Sequence, residues 1–260
     1  MNKLLILNYH AIAEDVHKDI PVANAIYEVN KSNFIAQLEL LKKHNIEVCS
    51  LADLNKVELP AFSVAITFDD GNSSDYSVAF PLLKEYGFAA SFFPVVASIN
   101  NHNLTEEQLI ELSENNFTIG SHGFRHIDLT TLSVDDQLKE FTNSKRTLEE
   151  KIGKQVTLFS APFGKINKKS VSLARESGYS QILTTNFKLN NANPSPFVLH
   201  RWSVKKSTSL TEFENIIQNN SFTIGWKTIE SQIKRWVILF IGSAAANRLN
   251  IFIHKKQKKA

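Results

Sequence analysis

Short apolar runs rich in β-branched and aromatic residues alternate along this chain with longer amphipathic stretches, and that alternation limits the folds open to it. The runs are LLILNYH (4–10), FSVAITF (62–68), AASFFPVV (89–96), FTIGS (117–121), VTLFSA (156–161), SQILTT (180–185) and FVLHRWSV (197–204). Between them lie helical patterns. NFIAQLELLKKHNI puts Phe34, Leu38 and Leu41 on one face. Another begins at Ser133 with S-V-D-D, which resembles a capping box, and continues through Val134, Leu138, Phe141, Leu148 and Ile152. Thr105 with Gln108 makes a second capping box. Strands alternating with helices predict an α/β fold: a mostly parallel sheet with helices outside, open or closed into a barrel. The length of 260 residues and the 43% hydrophobic content suit one large barrel or two small domains.

In such barrels catalytic groups gather at the carboxyl ends of the strands. At one such end, AITFDDGN (65–72) places Asp69 and Asp70 side by side. Successive side chains of an extended strand face opposite ways, so the two share a site only if the strand stops there. Gly71 permits the sharp turn. Two close carboxylates resist joint ionisation unless a cation or a shared proton relieves them. SHGFRH (121–126), after the run FTIGS, offers His122 and His126 with three residues between them. That spacing lets two imidazoles converge on one ion from a helix face or a tight loop, and Gly123 favours the loop. Two imidazoles and one carboxylate form the ligand set of a catalytic zinc with a position left for water. One aspartate then binds the metal, while the other takes a proton from the water that the metal acidifies. In TLFSAPFGKIN (157–167), the turn Pro162-Phe163-Gly164 follows a strand and offers backbone N–H donors to an oxyanion.

TFDDG, the His-x-x-x-His pair followed by Leu129, and FSAPFG resemble the first three motifs of the polysaccharide deacetylase family, the NodB-homology group or carbohydrate esterase family four. NYHAI, FIAQLELLKKHNIEVCSLADL and GYSQILTT…PFVLHRWSV resemble one branch of it, so the likeness covers residues 1 to about 220. The resemblance implies a distorted (β/α) barrel and a divalent-metal-dependent hydrolase of N- or O-acetylated sugars. By motif match Asp69 is the general base, Asp70, His122 and His126 are the metal ligands, and the Phe163 amide is the oxyanion donor. Zinc is the default ion, with cobalt or nickel able to use the same ligands. Two positions depart from the family pattern: Gly123 stands where Ser or Thr is common, and Ser160 where an arginine often orients the base. Arg201, in the last run, is the candidate for the missing cation. The general acid is His10 or His200; the usual family places it in a late L-x-H motif, which VLH (198–200) matches, whereas some members carry it on the first strand. The strand-end position of His10 favours His10.

The net charge of +3 gives no argument for a nucleic-acid partner. The single cysteine, Cys49, excludes an internal disulfide, and MNKLLILNYHAIAED lacks the ~7–15-residue apolar stretch of a secretory signal. Both features point to a cytoplasmic protein, or one at the inner face of the membrane. Residues 1–222 are assigned to the barrel and 223–260 to an additional C-terminal helical segment. WVILFIGSAAA (236–246) is too short for a ~20-residue span, so the segment is a packed helix or an in-plane membrane helix, with contact through residues 226–259. The lysines at 255, 256, 258 and 259 suit an anionic lipid surface. The expected substrate is an acetylated glycan or its lipid-linked precursor. The competing readings are a carbohydrate-binding barrel with impaired turnover, and a glycosidase using Asp69 and Asp70. Sequence neighbours are poorly placed for the latter, and it leaves the histidine pair without a task.

Overall fold

The computed structural model describes residues 2–14, 25–54, 58–101, 103–192 and 195–233. The elements run β1 (Lys3–Tyr9), β2 (Ala11–Ala13), β3 (Glu28–Asn30), α1 (Lys31–Lys43), β4 (Glu47–Val48), β5 (Phe62–Asp70), α2 (Phe80–Tyr86), β6 (Ala90–Pro94), α3 (Glu106–Glu114) and β7 (Thr118–Ile119). They continue with α4 (Val134–Ile152), β8 (Leu158–Ser160), α5 (Lys168–Glu176), β9 (Gln181–Thr184), β10 (Asn190–Asn191), β11 (Val198–His200), β12 (Trp202–Ser203) and α6 (Leu210–Ile217). The chain divides into two compact units, Met1–Asn219 and Asn220–Ala260. In the second, residues 221–233 are helical. The apolar run 236–246 and the four lysines beyond it lie outside the described residues.

The strands form a distorted α/β barrel made of two parallel sheets. One carries β1, β5, β6 and β7 side by side, with β10 antiparallel on the start of β1; the other carries β8, β9 and β11. Two thin seams join them. At one, Ser121 bridges Phe159, with the Ser160 amide donating to the Ser121 carbonyl at 2.8 Å. At the other, β11 pairs with β9 up to His200, and β12 then pairs with β1 at Leu7 and Asn8. The stretch FVLHRWSV, expected as one strand, is therefore broken at Arg201, where the backbone changes partner. FTIGS and AASFFPVV also form shorter strands than their apolar lengths suggest, the latter turning into a 3-10 helix at Val96–Ser98.

Period-2 alternation sorts the side chains into two layers. Leu4 and Ile6, Ala65, Phe93, Leu158, Leu183 and Leu199 share one buried cluster. Two residues further along the same strands, the same face carries Asn8, Thr67 and then Asp69, Ser160, and Arg201. The interior thus changes from apolar to polar toward the carboxyl ends. On the other face Tyr9 and Phe68 pack on Phe34 of α1, with ring centroids 5.2 and 6.0 Å away. The predicted caps are present: Thr105 and Gln108 form the reciprocal box, and Ser133 accepts the Asp136 amide.

The end of β5 decides where the two aspartates point. Asp70 and Gly71 both have left-handed backbones, φ 75 and 70, so the pleat breaks and both carboxylates remain on the same rim. Gly71 also has no room for a side chain, since a Cβ there would stand 2.9 Å from the Pro94 Cα. Gly71→Ala should therefore lower stability by about 1–3 kcal/mol, read as a reduced urea midpoint.

Candidate active site

Asp69 lies at the buried carboxyl end of β5, where the Arg201 guanidinium meets its charge. Arg201 is fully buried, and its guanidinium grips Asp69 in two parallel bonds, Nη1 to Oδ1 at 2.8 Å and Nη2 to Oδ2 at 2.7 Å. The remaining donors are also used. Nη2 donates to Ser160 Oγ (2.8 Å), Nη1 to Asn8 Oδ1 (3.0 Å) and Thr67 Oγ1 (3.2 Å), and Nε to the Thr184 carbonyl (3.2 Å). The guanidinium thus reaches from a different strand to the place where Ser160 leaves an arginine missing. Burial alone would raise the Asp69 pKa, but the charges of Arg201 and His122 and the arginine bonds outweigh it and hold the carboxyl far below its usual range.

Asp70 faces the two histidines. Its Oδ1 is 3.4 Å from His122 Nε2 and 3.5 Å from His126 Nε2. Donors about 2.0–2.1 Å from a tetrahedral zinc stand about 3.3 Å from one another, so these spacings suit one shared ion. The ligand atoms of all three residues lie within 4.8 Å of each other. His122 Nδ1 is 2.8 Å from the Ser160 carbonyl, which can only accept, so that nitrogen carries the proton in the neutral ring and Nε2 is left as a lone pair. Burial opposes charge on His122, yet the Asp69 and Asp70 carboxylates turn its pKa upward, and the same negative field attracts a metal cation. Burial and the neighbouring His122 lower the pKa of His126, a shift toward the neutral ring that can ligate, with Asp70 and Asp69 acting against it. The pair sits on a loop rather than a helix, with His126 in a left-handed conformation at φ 57.

Phe163 lies across the loop with its ring 4.7 Å from that of His126, 57% exposed at the rim. Its backbone is left-handed (φ 58), and Gly164 behind it has no space for a Cβ beside Thr185. His10 follows β1 at the same rim, with its ring against Tyr27 (4.6 Å) and its Nδ1 buried without a partner. Burial lowers its pKa, with Asp69 and Asp70 acting against that shift. His200 instead hydrogen-bonds Thr184 Oγ1 through Nδ1 (3.2 Å), and its amide is held by Asn190. A further carboxyl, Asp75, is fully buried near the pair; burial and the two aspartates push its pKa well up. Asn8 and Thr67, which hold Arg201, went unnoticed in the sequence. Their signal was positional: Thr67 is two residues before Asp69 on one strand face.

A sequence model described as Polysaccharide deacetylase matches residues 56–182. The chain is 30% identical over 223 residues to the putative polysaccharide deacetylase YxkH of Bacillus subtilis, covering 84% of this chain and 77% of that protein. The chain belongs to the polysaccharide deacetylase family. It is 24% identical to the poly-β-1,6-N-acetyl-D-glucosamine N-deacetylase of Staphylococcus aureus, over 84% of this chain and 82% of the other. Among solved structures, the Streptococcus pyogenes deacetylase PplD in complex with acetate superposes with a TM-score of 0.72 at 30% identity, covering 83% of this chain and 97% of that one.

Removal of the guanidinium leaves Asp69 as an uncompensated buried charge. Arg201→Ala should cost about 3–5 kcal/mol near pH 7, measured by urea unfolding. In the native chain the depressed Asp69 pKa contributes stability that is present above the unfolded value of about 4 and lost as pH falls from there through the folded value. In the variant burial is unopposed by Arg201 and the folded pKa rises, so the deficit should shrink on acidification as Asp69 takes a proton.

Proposed function

We propose that this chain is a divalent-metal-dependent deacetylase that hydrolyses the acetamide of an N-acetylated amino sugar, in a polysaccharide or its lipid-linked precursor. The observation that carries this reading is the pairing of two adjacent carboxylates with different partners: Asp70 with two imidazoles, Asp69 with a buried arginine. Asp70, His122 and His126 would hold the ion, with zinc as the first choice. Bound there, it supplies Lewis acidity, polarising the acetyl carbonyl and making water more acidic. Asp69, held by Arg201, accepts the proton of the attacking water on a carboxylate oxygen. Arg201 keeps that carboxylate aimed and ionised. The Phe163 amide donates to the carbonyl oxygen as charge builds on it. His10 enters the step protonated and gives that proton to the departing sugar nitrogen, while the proton Asp69 takes from water is released to solvent, from which His10 is restored; its place at the rim supports it over His200. Acetate in the PplD complex and the amide-cleaving names of the relatives support acetyl as the group removed.

The ground for a barrel without turnover was the arginine missing at Ser160, and Arg201 fills that space. A glycosidase needs one carboxyl free to donate a proton, whereas Asp69 is clamped as an anion.

A membrane contact through the C-terminal segment belongs to the same reading. Phe222, Trp226, Ile229 and Ile233 are each at least half exposed and recur at helical spacing, so residues 221–233 present an apolar stripe. No helix among the described residues is long and apolar enough to cross a membrane. The stripe and the lysines that follow it in the sequence support in-plane binding to anionic lipid, and with it a place at the cytoplasmic face. Trp226→Glu with Ile229→Glu should release the protein from phosphatidylglycerol vesicles; no sedimentation of the unaltered chain with them would remove the lipid contact.

The decisive assay is acetate release from N-acetylglucosamine oligomers. A chelator should abolish it and zinc restore it, while Asp70→Ala should lose both zinc and activity. His10→Ala should lower kcat about 10²–10⁴-fold and His200→Ala far less. Turnover that survives complete metal removal would discard the mechanism.

A further inference from the structure

The loop that carries both histidines is pinned through its carbonyls by the Val96 and Ala97 amides, which donate to Gly123 (3.2 Å) and Phe124 (2.9 Å), and through its own amides by a carboxylate outside the site. From His122 to Arg125 four successive backbone N–H groups find acceptors. His122 donates to the Pro94 carbonyl (3.0 Å) and Gly123 to Ser121 Oγ (3.1 Å). The next two, Phe124 (2.7 Å) and Arg125 (3.1 Å), both donate to Oε2 of Glu140. Glu140 projects from α4 and is buried; its other oxygen accepts Arg125 Nε at 2.7 Å. Two convergent amides and a guanidinium give both oxygens of the buried carboxylate hydrogen-bond partners.

The same contact accounts for Gly123. That residue has φ +81, and a Cβ there would stand 3.2 Å from Glu140 Oε2, tighter than an ordinary contact. A glycine between the histidines lets the carboxylate approach the backbone, and the left-handed turn swings the chain back so that His126 returns toward His122. Their rings are then 4.9 Å apart.

We infer that Glu140 is a positioning residue for the metal centre: by accepting the Phe124 and Arg125 amides it fixes His126 at ligand distance from His122 and Asp70. Glu140 touches neither the ion nor the substrate. The inference rests on the proposed metal site, because it assigns Glu140 a task toward that ion.

The test is zinc affinity of the purified full chain, by competition with a chromophoric chelator, together with the visible spectrum of the cobalt-substituted protein. Glu140→Leu should weaken zinc binding by about 10–100-fold, the usual effect of losing a group that orients ligands. It should also change the intensity of the cobalt bands, since a displaced His126 alters the coordination. Glu140→Gln keeps one oxygen for the two amides and should restore most of the affinity. Arg125→Ala, which leaves both main-chain bonds in place, should bind zinc like the unaltered chain. A folded Glu140→Leu with unchanged zinc affinity and cobalt spectrum overturns the assignment. If Glu140→Leu does not fold, a folded Glu140→Gln whose zinc affinity falls about 10-fold or more, although the acceptor oxygen is kept, also overturns it. Failure of the unaltered chain to bind zinc or cobalt overturns the metal-site reading itself, and is distinguished by appearing before any substitution is made.

Discussion

A buried arginine that grips one aspartate from across a barrel is the interaction on which the rest of this structure depends. Arg201, at the break between β11 and β12, and Asp69, at the end of β5, lie far apart in sequence, and each would be costly inside the barrel without the other. Their pairing consumes both carboxylate oxygens, while Asn8, Thr67, Ser160 and Thr184 satisfy the arginine's other donors. Strands from both sheets thereby meet at one planar group. Since the seams joining the sheets are thin, this polar knot ties the carboxyl ends of the strands together where backbone pairing is sparse.

The pair also separates the chemistry of two neighbouring carboxylates. Asp69 is committed to a fixed cation and keeps its charge, so its field falls on His122 and His10 as well. Asp70, turned outward by a left-handed backbone, is left for the imidazoles. Like charges at such range oppose one another's ionisation; at Asp75, buried nearby, burial first and then the charges of Asp70 and Asp69 push the pKa well up. One cation built into the fold and one that the ligand set can attract together allow both aspartates to ionise.

Much of this was legible in advance because the informative residues stand at strand ends. The runs FSVAITF, FTIGS and VTLFSA form β5, β7 and β8, and Asp-Asp-Gly, His-x-x-x-His and Pro-Phe-Gly sit where those runs stop. Capping at Thr105 and Ser133 is local chemistry, and it reads directly from the sequence. The weaker expectations concerned segments whose state depends on distant partners. FVLHRWSV has the apolar length of one strand, but Arg201 splits it because the chain leaves β9 and joins β1 there. β2, β3, β4 and β10 are two or three residues long, too short to show a period. Glu140 carried no signal at all, since a glutamate on a helix is usually solvated.

By itself, the order of residues determined the class of fold, the ends of strands at which chemistry would collect, and the types of group present there. It did so because hydrophobic period, capping and turn residues act within a few positions of one another. Which cation meets Asp69, which carboxylate meets the histidines, and what holds the histidine loop were decided only by tertiary structure. Those contacts join residues separated by 15 to 132 positions. Their energies depend on burial and direction, which exist only once the barrel has formed.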